Sequence, residues 1–416
     1  MNNATGELMP TEKELARLDS YNRTIRRTRT VITFILLALV IIILAACIAL
    51  YALLRPGGVS LFDDRKTAGI AWIRSIYGHD ATDQGLINPS SVAFSADGES
   101  IWITDSARFR LVQYDLNGRL MQIVNADWRV NEMIFPTRIA ISSKGWFYVA
   151  EQTYDRVQIF DSDFIHQATI QIEGPTAVAA NDDLLLVGSR RGFAQFTYNG
   201  DFIGMHSADS EDEVNHFDYV HALALDESNN SFVLDSFGNR LVKYDEEGIP
   251  LYEILLGPPG NQGISGGRAA DTTTPELEFP ANLQLPKGLA LDDNGHIYII
   301  DMFDFSIAVL DVEEGDFIKK VGSQGIADGS FDNPNCLDYN PAMDIFASAE
   351  ATLGRVQLLS IEGSSRDPLA QTRRDFGDFI NACLIPLIIV LILMTAYFVS
   401  QYLAKRHRRK RAQLTE

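Results

Sequence analysis

Cysteine is scarce in this chain. Of 416 residues three are cysteine, and Cys47 and Cys383 both lie inside apolar runs. Cys336 is left alone in the middle of the chain, so no disulfide can form there and that region must fold without covalent staples. No C-x-x-C-H occurs, which excludes c-type haem attachment by that route. One Gly-x-Ser-x-Gly string occurs, Gly263-Ile264-Ser265-Gly266-Gly267, but it falls in a Gly-, Pro- and Thr-rich stretch rather than between a strand and a helix, and no recognisable His and Ser pairing accompanies it, so it does not make a hydrolase signature. Low-complexity tracts are missing too, and 46% hydrophobic with 22% charged residues is a globular composition. Positive charge is thin in the middle: residues 56–370 hold 48 acidic and 20 basic residues, within a chain of net charge −20. Such a surface repels phosphate backbones, so nucleic acid is not an expected partner.

Basic residues gather at the two ends instead, beside two long apolar runs. Residues 31–54 carry no charge and, as a helix, would span about 36 Å, enough for a hydrocarbon core of about 30 Å. Residues 379–403 form a second run, interrupted by Asn381 and Pro386. Arg23, Arg26, Arg27 and Arg29 precede the first run, and Lys405, Arg406, Arg408, Arg409, Lys410 and Arg411 follow the second. The positive-inside rule then predicts both termini in the cytoplasm and the acidic middle outside the plasma membrane. Leu44-Ala45-Ala46-Cys47 resembles a bacterial lipobox, but Ile48 to Leu54 stays apolar where a mature lipoprotein turns polar. The length of the run favours an uncleaved anchor. Neither run holds Asp, Glu, Lys, Arg or His, so both read as anchors rather than a transport path.

The middle repeats. Two clear copies run from Phe135-Pro136-Thr137-Arg138-Ile139-Ala140 through Gly145-Trp146-Phe147-Tyr148-Val149-Ala150-Glu151 to Arg156-Val157-Gln158-Ile159-Phe160-Asp161, and from Leu285-Pro286-Lys287-Gly288 through Ile297-Tyr298-Ile299-Ile300-Asp301 to Ala308-Val309-Leu310-Asp311. Others start at Pro89, Pro175, Val220 and Pro334, with steps of 47, 39, 45, 66 and 48 residues. A period of about 40–50 residues built from short strands with Gly/Asn turns reads as the blade of a β-propeller. The long step contains an insertion, about 257–282, rich in Gly, Pro and Thr and suited to a surface loop. Ile70-Ala71-Trp72-Ile73-Arg74-Ser75-Ile76 matches the fourth-strand segment Phe317-Ile318-Lys319-Lys320-Val321, while the last repeat lacks room for a fourth strand of its own. The first strand is therefore expected to close the last blade.

The predicted fold is all-β: a six-bladed propeller over 70–362, flanked by two transmembrane α-helices. The order is a cytoplasmic segment 1–30, helix 31–54, linker 55–69, propeller, linker 363–378, helix 379–403 and a basic tail 404–416. The repeat resembles the NHL family, with its Pro-x-Gly-Ile-Ala start, Tyr-Val-x-Asp centre and following Arg. That resemblance implies a six-bladed propeller and leaves function open, because propellers host enzymes, binders and scaffolds.

Two rings of residues recur in register. Asp105, Glu151, Asp235, Asp301 and Glu350 end the second strand, with Ser189 in the third repeat; five residues on come Arg110, Arg156, Arg240, Ser306 and Arg355, with Ala194 in the third. Acid and Arg mostly come and go together, as expected of structural ion pairs. The residue after each start gives a ring at the channel mouth: Ser90, Thr137, Thr176, His221, Lys287 and Asn335. The family resemblance implies that several histidines here would hold zinc, as in NHL-like lyases; this ring has only His221, and His79, His166, His206, His216 and His296 fall elsewhere in the repeat. No metal or other cofactor is expected. Calcium is the one candidate, at Asp80, Asp83, Asp209, Glu211, Asp212, Glu213 and Asp218. The expected function is a membrane-anchored scaffold for protein partners outside the cytoplasmic membrane, held in the lipid bilayer by two helices. The alternative is a lactonase- or lyase-like enzyme, or a small-ligand or metal binder, using the channel mouth.

Overall fold

The computed structural model describes Ser20 and residues 66–67, 69–78, 85–125, 133–207, 213–258 and 279–365. Residues 60–374 form one compact unit. Six antiparallel sheets follow one another along the chain. Blade one consists of Pro89–Phe94, Ser100–Asp105, Arg110–Asp115 and Leu120–Asn125. Blades two to five repeat that meander, with first strands Arg138–Ile141, Ala177–Ala180, Val220–Leu225 and Pro286–Leu291. Blade six has Pro334–Asn340, Ile345–Glu350 and Arg355–Ile361, and its fourth strand is Ile70–Ile76 from the other end of the unit. The register runs from Ile70 opposite Ile361 to Ile76 opposite Val356.

The first strands neighbour one another in ring order, blade six beside blade one, and enclose a central channel. Between consecutive blades lies one apolar cluster, six in all among the described residues. Between blades one and two, for example, Ala93, Trp102 and Leu111 meet Ile139, Phe147, Val149 and Phe160. Each sheet is therefore buried on both faces by its neighbours. That is why the second and third strands read as nearly continuous apolar runs, whereas outer strands such as Pro250–Leu255 alternate half-buried and exposed.

Two boundaries differ from the sequence reading. Lys66–Thr67 adds a short strand outside Ile70–Ile76, within the predicted linker. At the far end Ser364 is buried, with its Oγ in hydrogen-bond reach of Asp344 Oδ1 and of the Ile361 carbonyl, so ordered contacts pass residue 362. Among the described residues no helix is long and apolar enough to cross a membrane; runs 31–54 and 379–403, with Cys47 and Cys383, lie outside them. So does most of the insertion, residues 259–278.

Candidate functional site

The channel mouth is shaped by an irregularity that recurs where each first strand begins. In blades one, four, five and six the register slips by one residue, between Pro89 and Ser91, Val220 and Ala222, Pro286 and Gly288, and Pro334 and Cys336. The extra residues are Ser90, His221, Lys287 and Asn335, four of the six predicted for the mouth. A β-bulge turns a side chain that would otherwise follow the pleat, and the innermost strand is a sheet edge where proline's missing N–H costs no ladder bond. In blades two and three the strand starts later, and Thr137 and Thr176 precede it.

Those two threonines and Ser90 spend their hydroxyls on the backbone. Thr137 Oγ1 donates to the Ala150 carbonyl within its own blade. Ser90 Oγ donates across to the Thr137 carbonyl at 2.9 Å, and Thr176 Oγ1 to the Val220 carbonyl. Asn335 Nδ2 completes the link from blade six to blade one by donating to the Ser90 carbonyl at 2.9 Å. The predicted ring thus divides: His221, Lys287 and Asn335 line the channel, while the three hydroxyl side chains tie backbone together and do not line it.

The residue that dominates the mouth is Arg138, one position beyond the predicted ring. Its Nε donates to the Thr176 carbonyl at 3.0 Å, Nη1 to the Ser90 carbonyl at 2.8 Å, and Nη2 to His221 Nε2 at 3.0 Å. An arginine has no acceptor, so His221 Nε2 must present its lone pair and the imidazole is neutral. Burial, Arg138 and Lys287 together hold His221 well below the usual imidazole range. That lone pair is already engaged, and two cations stand beside it. His221 is thus poorly placed as a metal ligand, and no group of three or more His, Cys, Asp or Glu suited to a metal ion exists among the described residues.

Lys287 comes from blade five. No hydrogen bond or ion pair to its ammonium is found among the described residues, and burial followed by the charge of Arg138 pushes it down to about 8. Arg138 likewise has no carboxylate at ion-pair distance among the described residues; burial lowers its affinity for its proton. The one carboxylate lining the channel, Asp338, is engaged elsewhere. It accepts from the Phe94 N–H at 2.8 Å, and burial raises it to about 6. Cys336 lines the channel as a buried free thiol pushed up to about 11 by burial, which leaves it a weak nucleophile. The channel volume is about 230 Å³.

The repeated carboxylates lie apart from the channel, at the hairpins joining second to third strands. Arg110 Nε stands 3.0 Å from Asp105, Arg156 Nε 2.7 Å from Glu151, Arg240 Nε 3.3 Å from Asp235, and Arg355 Nη2 3.2 Å from Glu350. The carboxylates also cap the segment entering each first strand: Asp105 accepts from Ile87 and Asn88 N–H, Glu151 from Ile134 and Phe135, Asp235 from Asp218 and Tyr219. Blade three differs in a way the sequence alignment hid. Opposite Ser189 stands Gly192, not Ala194, because the hairpin is two residues shorter. A Cβ at Gly192 would come within 2.1 Å of the His206 carbonyl, so no arginine fits there.

The remaining histidines are dispersed. His296 pairs with Asp292, His206 stacks on Phe193 and His166 bonds Gln158. Of the acidic loop residues, Asp80, Asp83, Asp209, Glu211 and Asp212 lie outside the described residues, as does His79.

No protein-family model and no curated protein matches the sequence. Solved structures do match in part. Hydrazine synthase of Kuenenia stuttgartiensis aligns over 69% of this chain and all of its own, at 11% identity and a TM-score of 0.47. A structural-genomics protein of unknown function from Bacteroides thetaiotaomicron aligns over 70% of this chain and 76% of its own, at 14% identity and 0.49. The WD40 repeats of RRP9 align over 71% of this chain and 99% of their own, at 12% identity and 0.47. At these values the likenesses say nothing about function. The propeller assignment rests on this chain's own six sheets.

Proposed function

We propose that the chain is a membrane-anchored, extracytoplasmic propeller of the NHL type that holds a protein partner outside the cytoplasmic membrane. The supporting observation is an apolar outer rim on two adjacent blades. Phe202, Ile203 and Met205 on the fourth strand of blade three are 63%, 51% and 55% exposed, and Ile249 and Leu251 at the start of the same strand in blade four are 59% and 52% exposed. The two segments adjoin, since a Cβ at Gly248 would touch the His206 ring at 2.7 Å. Contiguous exposed apolar side chains in an otherwise acidic surface are the composition of an interface core rather than of a solvated edge. Anchoring and orientation follow from the two uncharged runs and their basic outer flanks. The pairing of Ile70 with Ile361 sets the two ends of the ring side by side.

The test is copurification of the full-length chain from its native membrane after crosslinking. A partner recovered with the wild type should be lost with Phe202→Asp plus Met205→Lys while the unfolding temperature is unchanged. Recovery of no stable partner, or equal recovery with the double variant, would reject the reading. Orientation is tested separately with Asn117→Cys: an impermeant maleimide should label intact cells, and labelling only after lysis would reverse the topology.

A further inference from the structure

Arg138 and Lys287 present two cationic groups to a confined channel, with no carboxylate bound to either. A buried charge without a partner is costly, and proteins keep one where a ligand supplies the counter-charge. The surroundings do not supply it. Blade one contributes Ser90 and Ser91, blade three Thr176 and Ala177, blade four the neutral His221 with Tyr219 close by, and blade six Asn335 and the protonated thiol of Cys336. Asp338 is held at the Phe94 N–H and does not bond either cation. One N–H of Arg138 Nη2 and all three of Lys287 Nζ have no acceptor among the described residues. We propose that the channel mouth binds a small oxyanion, a carboxylate or a phosphate, between Arg138 and Lys287.

The channel sets the size of that ligand. Its volume of about 230 Å³ falls below the about 300–1,000 Å³ of pockets for drug-sized molecules. Its lining is more polar than apolar, because each first strand turns an unpaired backbone edge inward. A small hydrophilic anion fits such walls; a divalent cation would meet two positive charges. The guanidinium is already fixed by the Ser90 and Thr176 carbonyls, so little side-chain freedom is lost when an anion arrives. The acidic surface repels anions in general, so selection falls to the mouth itself. Pairing would hold the Lys287 proton more tightly, so affinity should fall as pH rises past the free amine's range. This inference is independent of the protein-partner reading, and each can fail alone.

The experiment is calorimetric titration of the full-length chain in detergent with inorganic phosphate and, separately, with acetate, in a chloride-free buffer at pH 7 and at pH 9.5. Saturable binding of at least one anion is expected at pH 7, weaker at pH 9.5. Arg138→Gln also removes bonds to Ser90 and Thr176, so Lys287→Met is the deciding variant. It should keep the wild-type unfolding temperature or exceed it, and bind the anion at least tenfold more weakly. Binding of phosphate alone assigns the phosphate class, and binding of acetate alone the carboxylate class. No saturation by either at millimolar concentration, or affinity that Lys287→Met leaves unchanged, overturns the proposal.

Discussion

Blades five and six carry a carboxylate at the same register, yet only one of them pairs with an arginine. Asp301 accepts from four backbone N–H groups, those of Gln284, Leu285, Phe303 and Asp304, at 2.6–2.8 Å. Glu350 accepts from the Asp332 N–H, the Gln357 amide and Arg355, whose guanidinium also donates to the Ile326 and Ser330 carbonyls. The carboxylate's constant work is thus to receive the backbone entering the first strand. Where enough N–H groups converge, the side chain needs no cation. Where they do not, arginine supplies the missing donors and fastens the same segment through its carbonyls. Blade three, with neither acid nor arginine at that register, joins that segment through the Thr176 N–H and the Gly188 carbonyl, and the Gly174 N–H donates to Asp155 of blade two.

The largest test of this contrast is Glu350→Gln, which leaves Arg355, 0% exposed, with the half-exposed Asp328 at 3.6 Å as its remaining counter-charge. It should cost about 3–5 kcal/mol in denaturant unfolding of the solubilised chain. Replacing Glu350 and Arg355 together by Met should cost less than Glu350→Gln alone, because no charge is stranded. Next comes Asp301→Asn, which turns one acceptor oxygen into a donor facing backbone N–H groups, at about 2 kcal/mol. Arg156→Met should be milder, about 1 kcal/mol, since Arg156 is partly exposed and Glu151 keeps the Ile134 and Phe135 N–H groups. A cost for Arg156→Met equal to that of Glu350→Gln would show that arginine, not the backbone cap, is the essential partner. One effect has the opposite sign. Lys287 has no partner among the described residues, and its folded value of about 8 lies below its ordinary 10.5, so between those values the unfolded chain holds more protons. Stability in anion-free buffer should therefore rise with pH across that window, and Lys287→Met should abolish the slope while stabilising the chain below pH 8.

The blades were legible because burial on both faces forces continuous apolar strands, and the repeated Pro, carboxylate and Arg fix their register. Closure by Ile70–Ile76 was legible because the last repeat lacks a strand. Arg138 was missed because it stands two positions after the proline, in a column that faces the channel in all six blades but is otherwise filled by small residues. A signal was present all the same. Its column otherwise holds Ser91, Ala177, Ala222, Gly288 and Cys336, all small, since neighbouring first strands approach closely: a Cβ on Gly288 would lie 2.6 Å from the Leu337 nitrogen. One large cation in a column of small residues marks a place where the chain reaches into open space. The shortened hairpin of blade three left no such trace, because Ser189 and Gly192 are both ordinary turn residues.

Closing the last blade with the first strand also sets a timetable. Ile70 leaves the ribosome early and must wait for Ile361, about 290 residues later, which at roughly 5–20 residues per second is about 15–60 s. Throughout that interval the strand has no partner, and the interval recurs with every copy synthesised. A chain stopped just short of Arg355–Ile361 would expose two unpaired sheet edges at once, a setting in which strands of different chains pair with each other. The seam that makes the finished ring seamless is thus the point at which its biogenesis is most open to error.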